Sequence, residues 1–177
     1  FAKDPFDQNT IYYGSQFVHK STDQGASWEI ISPDLSTNNP EHQKGDYGGL
    51  TLDISGAEYY NSILAIAPSP IDKNTIWVGT DDGQLQLTKD GGQTWENLTN
   101  NLKGLPKEAW IARIHASRYQ AGEAWAIVNN YRKGDYKPYL FWTKDYGKSW
   151  ERTVDENKVK GYTLAFIQDP VEPNLAF

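Results

Sequence analysis

Asp81 and Asp82 are the carboxylates whose placement most suggests chemistry, because they are adjacent in a hairpin signal, Asp81-Asp82-Gly83. Hydrolysis of a glycosidic bond needs two carboxyl groups flanking that bond, about 5–9.5 Å apart. Neighbours on one hairpin point in different directions, so such a pair would need a second carboxylate from another loop. The residues able to supply it are Asp46, Asp53, Glu58 and Asp135. The alternative is that Asp81 and Asp82 simply form a polar turn.

Aromatic and acidic side chains are mixed in two further loops, residues 33–62 and 129–138. A connection as long as 33–62 is usually either functional or disordered. Aromatic rings can stack on a sugar or a peptide while carboxylates accept its hydrogen bonds, although ordinary solvated loops are the alternative. The candidate ligand-binding residues are Tyr47, Asp53, Glu58, Tyr59, Asp81, Asp82, Tyr131, Arg132 and Asp135.

Several kinds of site have no support in the sequence. The 177 residues include no cysteine, which excludes thiolate chemistry, and the three histidines are far apart and form no metal pattern. Calcium near Asp81 and Asp82 is conceivable, but the EF-hand spacing is absent. No nucleophile-elbow motif is present. We therefore predict no catalytic residue, no metal and no cofactor for this chain.

Composition also limits the partners. The net charge is −6 and the basic residues are scattered, which argues against nucleic-acid binding. No apolar run reaches the roughly 20 residues that a membrane-spanning helix needs. The chain has no methionine, so we expect a processed or excised piece of a longer protein.

Three segments of eight residues repeat without gaps and indicate the architecture. They are Ser21–Trp28, Thr88–Trp95 and Thr143–Trp150, with the shared pattern [ST]-x-D-x-G-x-[ST]-W. An ionised aspartate accepts several turn hydrogen bonds, glycine adopts positive φ, and tryptophan buries a large apolar surface. We therefore assign a structural role to the octet residues and expect the three tryptophans to be largely buried. These residues are Asp23, Gly25, Trp28, Asp90, Gly92, Trp95, Asp145, Gly147 and Trp150.

A second repeat runs at its own phase. Residues 7–15 match residues 72–80, and residues 1–5 match residues 166–170 at an offset of 165 positions. Each repeat contains short strand signals, for example 63–67, 75–79, 84–88 and 94–98 in the middle one. We read 63–67 as a strand buried on both faces and 84–88 as half-buried.

This pattern predicts an all-β fold, a β-propeller fragment of about three four-stranded antiparallel blades with octet hairpins. The predicted blades are 1–32, 62–99 and 110–153, with the start of a next blade at 162–177 and a long connection at 33–61. Since successive hairpins alternate between the two ends of a blade, the octets should share one edge with the first turn of each blade. The loops 33–62, 81–83, 100–110, 129–138 and 155–161 should share the other edge.

The octets resemble Asp boxes, the hairpin motif of BNR-repeat proteins. The segments 30–35, 48–51 and 56–60 are similar to those of bacterial proteins named BNR-repeat glycosyl hydrolases or sortilin-like proteins. The resemblance implies a β-propeller with any active site opposite the octets, a secreted, periplasmic or cell-surface location, and the remaining blades of the parent as partners. The arginine triad of sialidases is missing.

The resulting hypothesis is a non-catalytic, sortilin-like propeller segment that binds a glycan or a peptide through its loop-rich edge. The alternative is part of a sialidase- or xyloglucanase-like glycoside hydrolase whose active site needs blades outside this chain. A structural spacer is a third possibility. Exposed blade flanks also favour self-association.

Overall fold

The computed structural model describes residues 1–43 and 60–177. Over these residues the chain folds into three four-stranded antiparallel sheets joined as successive hairpins. The first contains β1 (Ala2–Lys3), β2 (Ile11–Gly14), β3 (Val18–Ser21) and β4 (Glu29–Ile30). The second contains β5 (Ile63–Pro68), β6 (Ile76–Thr80), β7 (Leu85–Thr88) and β8 (Glu96–Asn97). The third contains β9 (Trp110–Ala116), β10 (Ala124–Asn130), β11 (Asp135–Thr143) and β12 (Glu151–Arg152).

The three sheets are blades of a β-propeller, as the repeats predicted. Within each sheet the strands follow chain order, and helical structure in the described residues is confined to short 3-10 turns at Pro40–Gln43, Thr99–Asn101 and Tyr131–Lys133. The first sheet contacts the second through β2 and β5, and the second contacts the third through β5, β6 and β9. The first strands of the three sheets, β1, β5 and β9, lie side by side, because β5 contacts both of the others.

Burial of two strands differs from our expectation. Leu64 on β5 is 42% exposed, so this innermost strand alternates instead of being buried on both faces. By contrast, every residue of β7 is buried, although its sequence indicated a half-buried strand. The reason is position, since β7 lies inside the middle sheet, between β6 and β8, whereas β5 is an edge strand of that sheet.

Two glycines allow the sheets to approach closely. A Cβ atom on Gly14 would lie 2.7 Å from the Ile63 side chain, and one on Gly79 would lie 2.5 Å from Ile111 Cγ2. Gly14 and Gly79 occupy equivalent positions in the matching segments 7–15 and 72–80. Both meet the first strand of the following sheet, at Ile63 and Ile111. Close backbone approach is a common reason for glycine inside a strand.

The C-terminal residues 166–177 reproduce the start of the first sheet. Ile167 and Phe177 exchange backbone hydrogen bonds of 2.8 and 2.9 Å, and Gln168 pairs with Ala176. Ala2 pairs with Tyr12 and Lys3 with Ile11 at the same 165-residue offset. The carboxylate of Asp169 accepts two backbone hydrogen bonds from the next turn, as does that of Asp4. The segment thus has the local structure of the first two strands of another blade.

Candidate functional site

The octet edge has a complete structural explanation. In each octet the aspartate accepts hydrogen bonds from a backbone N–H and two hydroxyls of its own hairpin. Asp90, for example, accepts from Thr94 N at 2.9 Å, Thr94 Oγ1 at 2.6 Å and Thr88 Oγ1 at 2.8 Å. The same three bonds recur at Asp23 and Asp145. These side chains stabilise turns, as we expected.

The octet hydrogen bonds also affect the charge state of the aspartates. Bonds from Ser27 and Ser21 lower the pKa of Asp23 to about 2, and bonds from Thr94 and Thr88 lower the pKa of Asp90 to about 2. The pKa of Asp145 is lowered for the same reason. Hydrogen bonds donated to a carboxylate favour its ionised form. All three are therefore poor proton donors near neutral pH.

The octet tryptophans do not behave alike. Trp95 donates its indole N–H to Ile31 O in the first sheet at 2.9 Å, and the ring of Trp150 lies edge-on to Trp77 of the second sheet with centroids 5.8 Å apart. Both are partly buried against the preceding sheet. Trp28 is 41% exposed, so our expectation that it is largely buried was wrong. Trp28 lies edge-on to Tyr13 of its own sheet, with ring centroids 6.2 Å apart, but the described residues include no preceding sheet to cover its other side.

Each octet hairpin is also tied to the first turn of its own sheet. Gln24 N donates to Asn9 O at 2.9 Å, Gly91 N to Asn74 O at 2.9 Å, and Tyr146 N to Gly122 O at 3.0 Å. These bonds place the octets and the first turns at one edge, which confirms that part of the predicted topology.

The opposite edge, which we call the loop edge, is assembled around Asp81 and Asp82. Asp82 Oδ2 accepts hydrogen bonds of 2.7 Å from both the backbone N and the Oγ1 of Thr37. Asp81 Oδ1 accepts one of 2.8 Å from Ser62 N. The two ends of the long connection are therefore held on the 81–83 hairpin.

Burial separates Asp81 and Asp82 from the other candidate residues. Asp82 is 1% exposed and also accepts a hydrogen bond from Thr80 Oγ1. Burial raises the pKa of Asp81, and its hydrogen bond from Ser62 opposes this rise. With their oxygens engaged by the protein, these side chains position the loops and are not presented to a ligand in this structure.

An aromatic patch lies on the loop edge of the third sheet. We define it as Trp110, Tyr131, Tyr136 and Tyr162. Tyr131 is 6.1 Å from Trp110 and 5.3 Å from Tyr162 between ring centroids, and Tyr136 is 6.4 Å from Tyr162. Tyr136 is 59% and Tyr162 37% exposed. The patch thus presents aromatic surface to solvent.

Arg132 extends the patch with a positive charge. Its guanidinium carbon lies 3.9 Å from the Trp110 ring centroid, in a cation–π contact. Such stacking orients the guanidinium and leaves its N–H groups able to bind hydroxyl or carboxylate oxygens. Tyr131 and Arg132 were sequence candidates, whereas Trp110, Tyr136 and Tyr162 were not. Their only signal was position, since Trp110 and Tyr136 lie in the predicted loop-edge segments 100–110 and 129–138 and Tyr162 follows the segment 155–161.

A cleft of about 410 Å³ adjoins the patch, between Asp135–Pro138 and residues 156–161. Asp135 borders it, but the Asp135 carboxylate accepts hydrogen bonds from Tyr139 Oη at 2.7 Å and Asn130 Nδ2 at 3.0 Å. Partial burial opposes ionisation of Asp135, yet the hydrogen bonds from Asn130, Tyr139 and Lys137 lower its pKa. Glu156 is the second carboxylate of the cleft and is paired with Arg152 at 3.2 Å and Lys137 at 3.8 Å.

The other predicted ligand-binding residues lie outside the described residues. They are Tyr47, Asp53, Glu58 and Tyr59. Among residues 1–43 and 60–177, no group of three or more potential metal ligands comes together. Over the same ranges, no helix is both long and apolar enough to cross a membrane.

Comparison with known proteins locates this chain among larger propellers. No protein-family model matches it. An oligoxyloglucan-reducing end-specific xyloglucanase of Emericella nidulans is 26% identical over 117 residues, covering 58% of this chain and 13% of that enzyme.

Solved structures show the same fold. An ancestral GH74 enzyme superimposes with a TM-score of 0.58 at 21% identity, over 85% of this chain and 17% of its own. The GH74 xyloglucanase of Xanthomonas campestris superimposes with a TM-score of 0.51 at 18% identity, over 85% of this chain and 22% of its own. YCF48 bound to D1 peptide superimposes with a TM-score of 0.50 at 22% identity, over 82% of this chain and 37% of its own. The chain is thus a partial β-propeller that spans a small part of the length of the proteins it matches.

Proposed function

We propose that this chain is a section of a larger Asp-box β-propeller and that its loop edge binds a glycan through the aromatic patch. The observation that carries the proposal is the group of three tyrosines, of which Tyr136 and Tyr162 are exposed, together with Trp110 and Arg132. A pyranose ring presents an apolar C–H face that packs on an aromatic ring, while its hydroxyls take hydrogen bonds from neighbouring polar groups. The cleft beside Tyr136 extends this surface.

The ligand class follows from the composition of the surface. The rings of the patch are large and rigid, and the adjoining cleft is lined by polar and charged side chains such as Lys137 and Glu156. This combination suits a neutral, hydroxyl-rich chain better than an apolar peptide segment. The similarity to a xyloglucan-acting enzyme makes a branched β-glucan the first ligand to test.

The test is calorimetric titration with xyloglucan oligosaccharides and, for comparison, unbranched cello-oligosaccharides. Loss of one stacked ring, in Tyr136→Ala or Tyr162→Ala, should weaken binding about 2- to 12-fold, from about 0.5–1.5 kcal/mol per aromatic contact. Tyr119→Ala is the matched control, because Tyr119 is also 37% exposed but lies in the first turn of the third sheet, at the octet edge. Equal losses in all three variants, or no binding of either oligosaccharide, would contradict the proposal.

A second candidate is a section of a glycoside hydrolase, which the xyloglucanase similarity favours. Among the loop-edge carboxylates, Asp81, Asp82 and Asp135 accept hydrogen bonds within the protein, and Glu156 is paired with Arg152. We therefore expect the chain alone to bind xyloglucan without cleaving it. Reducing-end release that disappears in Asp135→Asn would support the hydrolase and exclude the non-catalytic function.

A further inference from the structure

Resting on the proposal that this chain is a section of a larger propeller, we infer that the cleft between the third sheet and residues 166–177 is the seat for the octet hairpin of a further repeat. The cleft has a volume of about 460 Å³, and Trp125, Trp142, Thr153 and Phe166 are among its lining residues. The occupant we assign is an Asp-box hairpin of the same kind as the three in this chain, with its tryptophan inserted into the cleft.

Two filled seats in the chain define what such a seat looks like. The second octet packs on Ile31, since a Cβ on Gly92 would lie 2.6 Å from Ile31 O, the same oxygen that accepts the Trp95 indole N–H. The third octet packs on Leu98, since a Cβ on Gly147 would lie 2.5 Å from Leu98 Cδ1. In both cases an octet rests on the residue that follows the outer strand of the preceding sheet.

Thr153 occupies the corresponding place in the third sheet. The backbone N–H groups of Ile31, Leu98 and Thr153 donate to the carbonyls of Val18, Leu85 and Leu140, at 2.9, 2.8 and 2.9 Å. Leu98, beneath the third octet, is 1% exposed, whereas Thr153 is exposed. Thr153 is thus the third seat residue, and no octet among the described residues covers it.

The walls of the cleft suit an indole. Trp125 stacks on Trp142 with centroids 6.2 Å apart and on Phe166 at 4.6 Å. Trp125 pairs with His115 and Trp142 in the sheet, as Trp77 pairs with Ala67 and Leu87 in the second sheet. Since Trp77 is the residue that the ring of Trp150 contacts, Trp125 is placed to receive an octet tryptophan in the same way.

The hairpin 166–177 supports the choice of occupant. It has the register of β1 and β2, and it is bound to the third sheet by Ser117 Oγ donating to Gln168 Oε1 at 3.0 Å and Tyr119 Oη donating to Asp169 O at 2.8 Å. The cleft therefore lies beside the second strand of this hairpin, where the third and fourth strands of the same repeat would follow. The proposed contact continues an interface that already exists.

The repeat itself provides the experiment. Because Phe177 corresponds to Tyr12, residues 13–32 of this chain can be appended directly after Phe177 to supply the missing two strands and an octet. The extended protein should unfold at a temperature at least about 4 °C higher than the original, since the added contacts stabilise a chain of this size by that order. The matched control is the same extension with its copy of Trp28 changed to alanine, which should lose most of that gain. Equal melting temperatures for the two extended proteins would overturn the inference.

A second measurement keeps the test decisive if the extension folds poorly. The chain has no cysteine, so two introduced thiols report proximity without background. Thr153→Cys combined with a cysteine at the grafted copy of Ala26, which follows the glycine that meets the seat, should be joined by a short bismaleimide crosslinker. Lys103→Cys with the same grafted cysteine should not be crosslinked. An uncrosslinked first pair would contradict the seat. So would concentration-dependent dimers of the unextended chain that Trp28→Ala abolishes, because a second copy would then be the occupant.

Discussion

Replacement of Gly79 by alanine tests the way in which the sheets pack. Gly79 lies on β6, and an alanine Cβ there would be 2.5 Å from Ile111 Cγ2 and 2.9 Å from both Ile111 Cβ and Ile111 O. Because one of the obstructing atoms belongs to the backbone, rotation of the isoleucine side chain cannot remove the clash. The second and third sheets must separate locally.

The expected cost follows from two opposing effects. Overpacking a well-packed contact costs about 1–3 kcal/mol. Alanine in place of glycine returns about 0.4–1 kcal/mol by restricting the unfolded chain. With a backbone atom involved, we expect a net loss of about 2 kcal/mol, which lowers the melting temperature by about 4–8 °C for a chain of this size.

Equilibrium denaturation by urea measures this loss, and a double-mutant cycle identifies its cause. Ile111 is fully buried, so Ile111→Ala alone should cost about 2–5 kcal/mol. In the double variant the alanine Cβ at position 79 occupies part of the space that the isoleucine leaves. The loss of stability in the double variant should therefore be about 1 kcal/mol smaller than the sum of the two single losses. Additive losses, or a Gly79→Ala protein as stable as the original, would refute the packing argument.

Two further predictions concern the octets. Trp95→Ala should lower the free energy of unfolding by about 2–4 kcal/mol because its ring is held on Ile31 of the preceding sheet. Trp28→Ala should cost under about 1 kcal/mol because that ring is 41% exposed and touches only its own sheet among the described residues, and urea denaturation distinguishes the two variants. The pKa of Asp90 is depressed to about 2 in the folded protein, so its contribution to stability is present above pH 4 and is lost as the pH falls from about 4 towards 2. The acid-unfolding curve of Asp90→Asn should be flatter over that interval, and an unchanged curve would show that the hydrogen bonds do not depend on charge.

The repeats predicted the fold because their physical meaning is local. An aspartate followed by glycine and a hydroxyl residue determines its own turn, so the hydrogen bonds of Asp23, Asp90 and Asp145 could be expected from eight residues. The alternation of hairpin ends then assigns each loop to an edge.

Other features depend on neighbours that are distant in sequence. The exposure of Trp28 and the burial of β7 depend on which sheet covers which face. Asp81 and Asp82 look like candidates for chemistry in the sequence, but Thr37 and Ser62 complete their hydrogen bonds from a separate connection. The aromatic patch combines residues of three different connections, and spacing along the chain does not reveal such a combination.

The most direct test of the account follows the tryptophan indole N–H signals by NMR during titration with xyloglucan oligosaccharide. Trp110 belongs to the patch, whereas Trp28 lies at the octet edge of the first sheet and serves as an internal control. We predict that the Trp110 signal shifts progressively with ligand while the Trp28 signal stays fixed, and that Tyr162→Ala reduces the shift at a given ligand concentration. A fixed Trp110 signal at millimolar oligosaccharide, or a shift confined to Trp28, would contradict glycan binding at the patch.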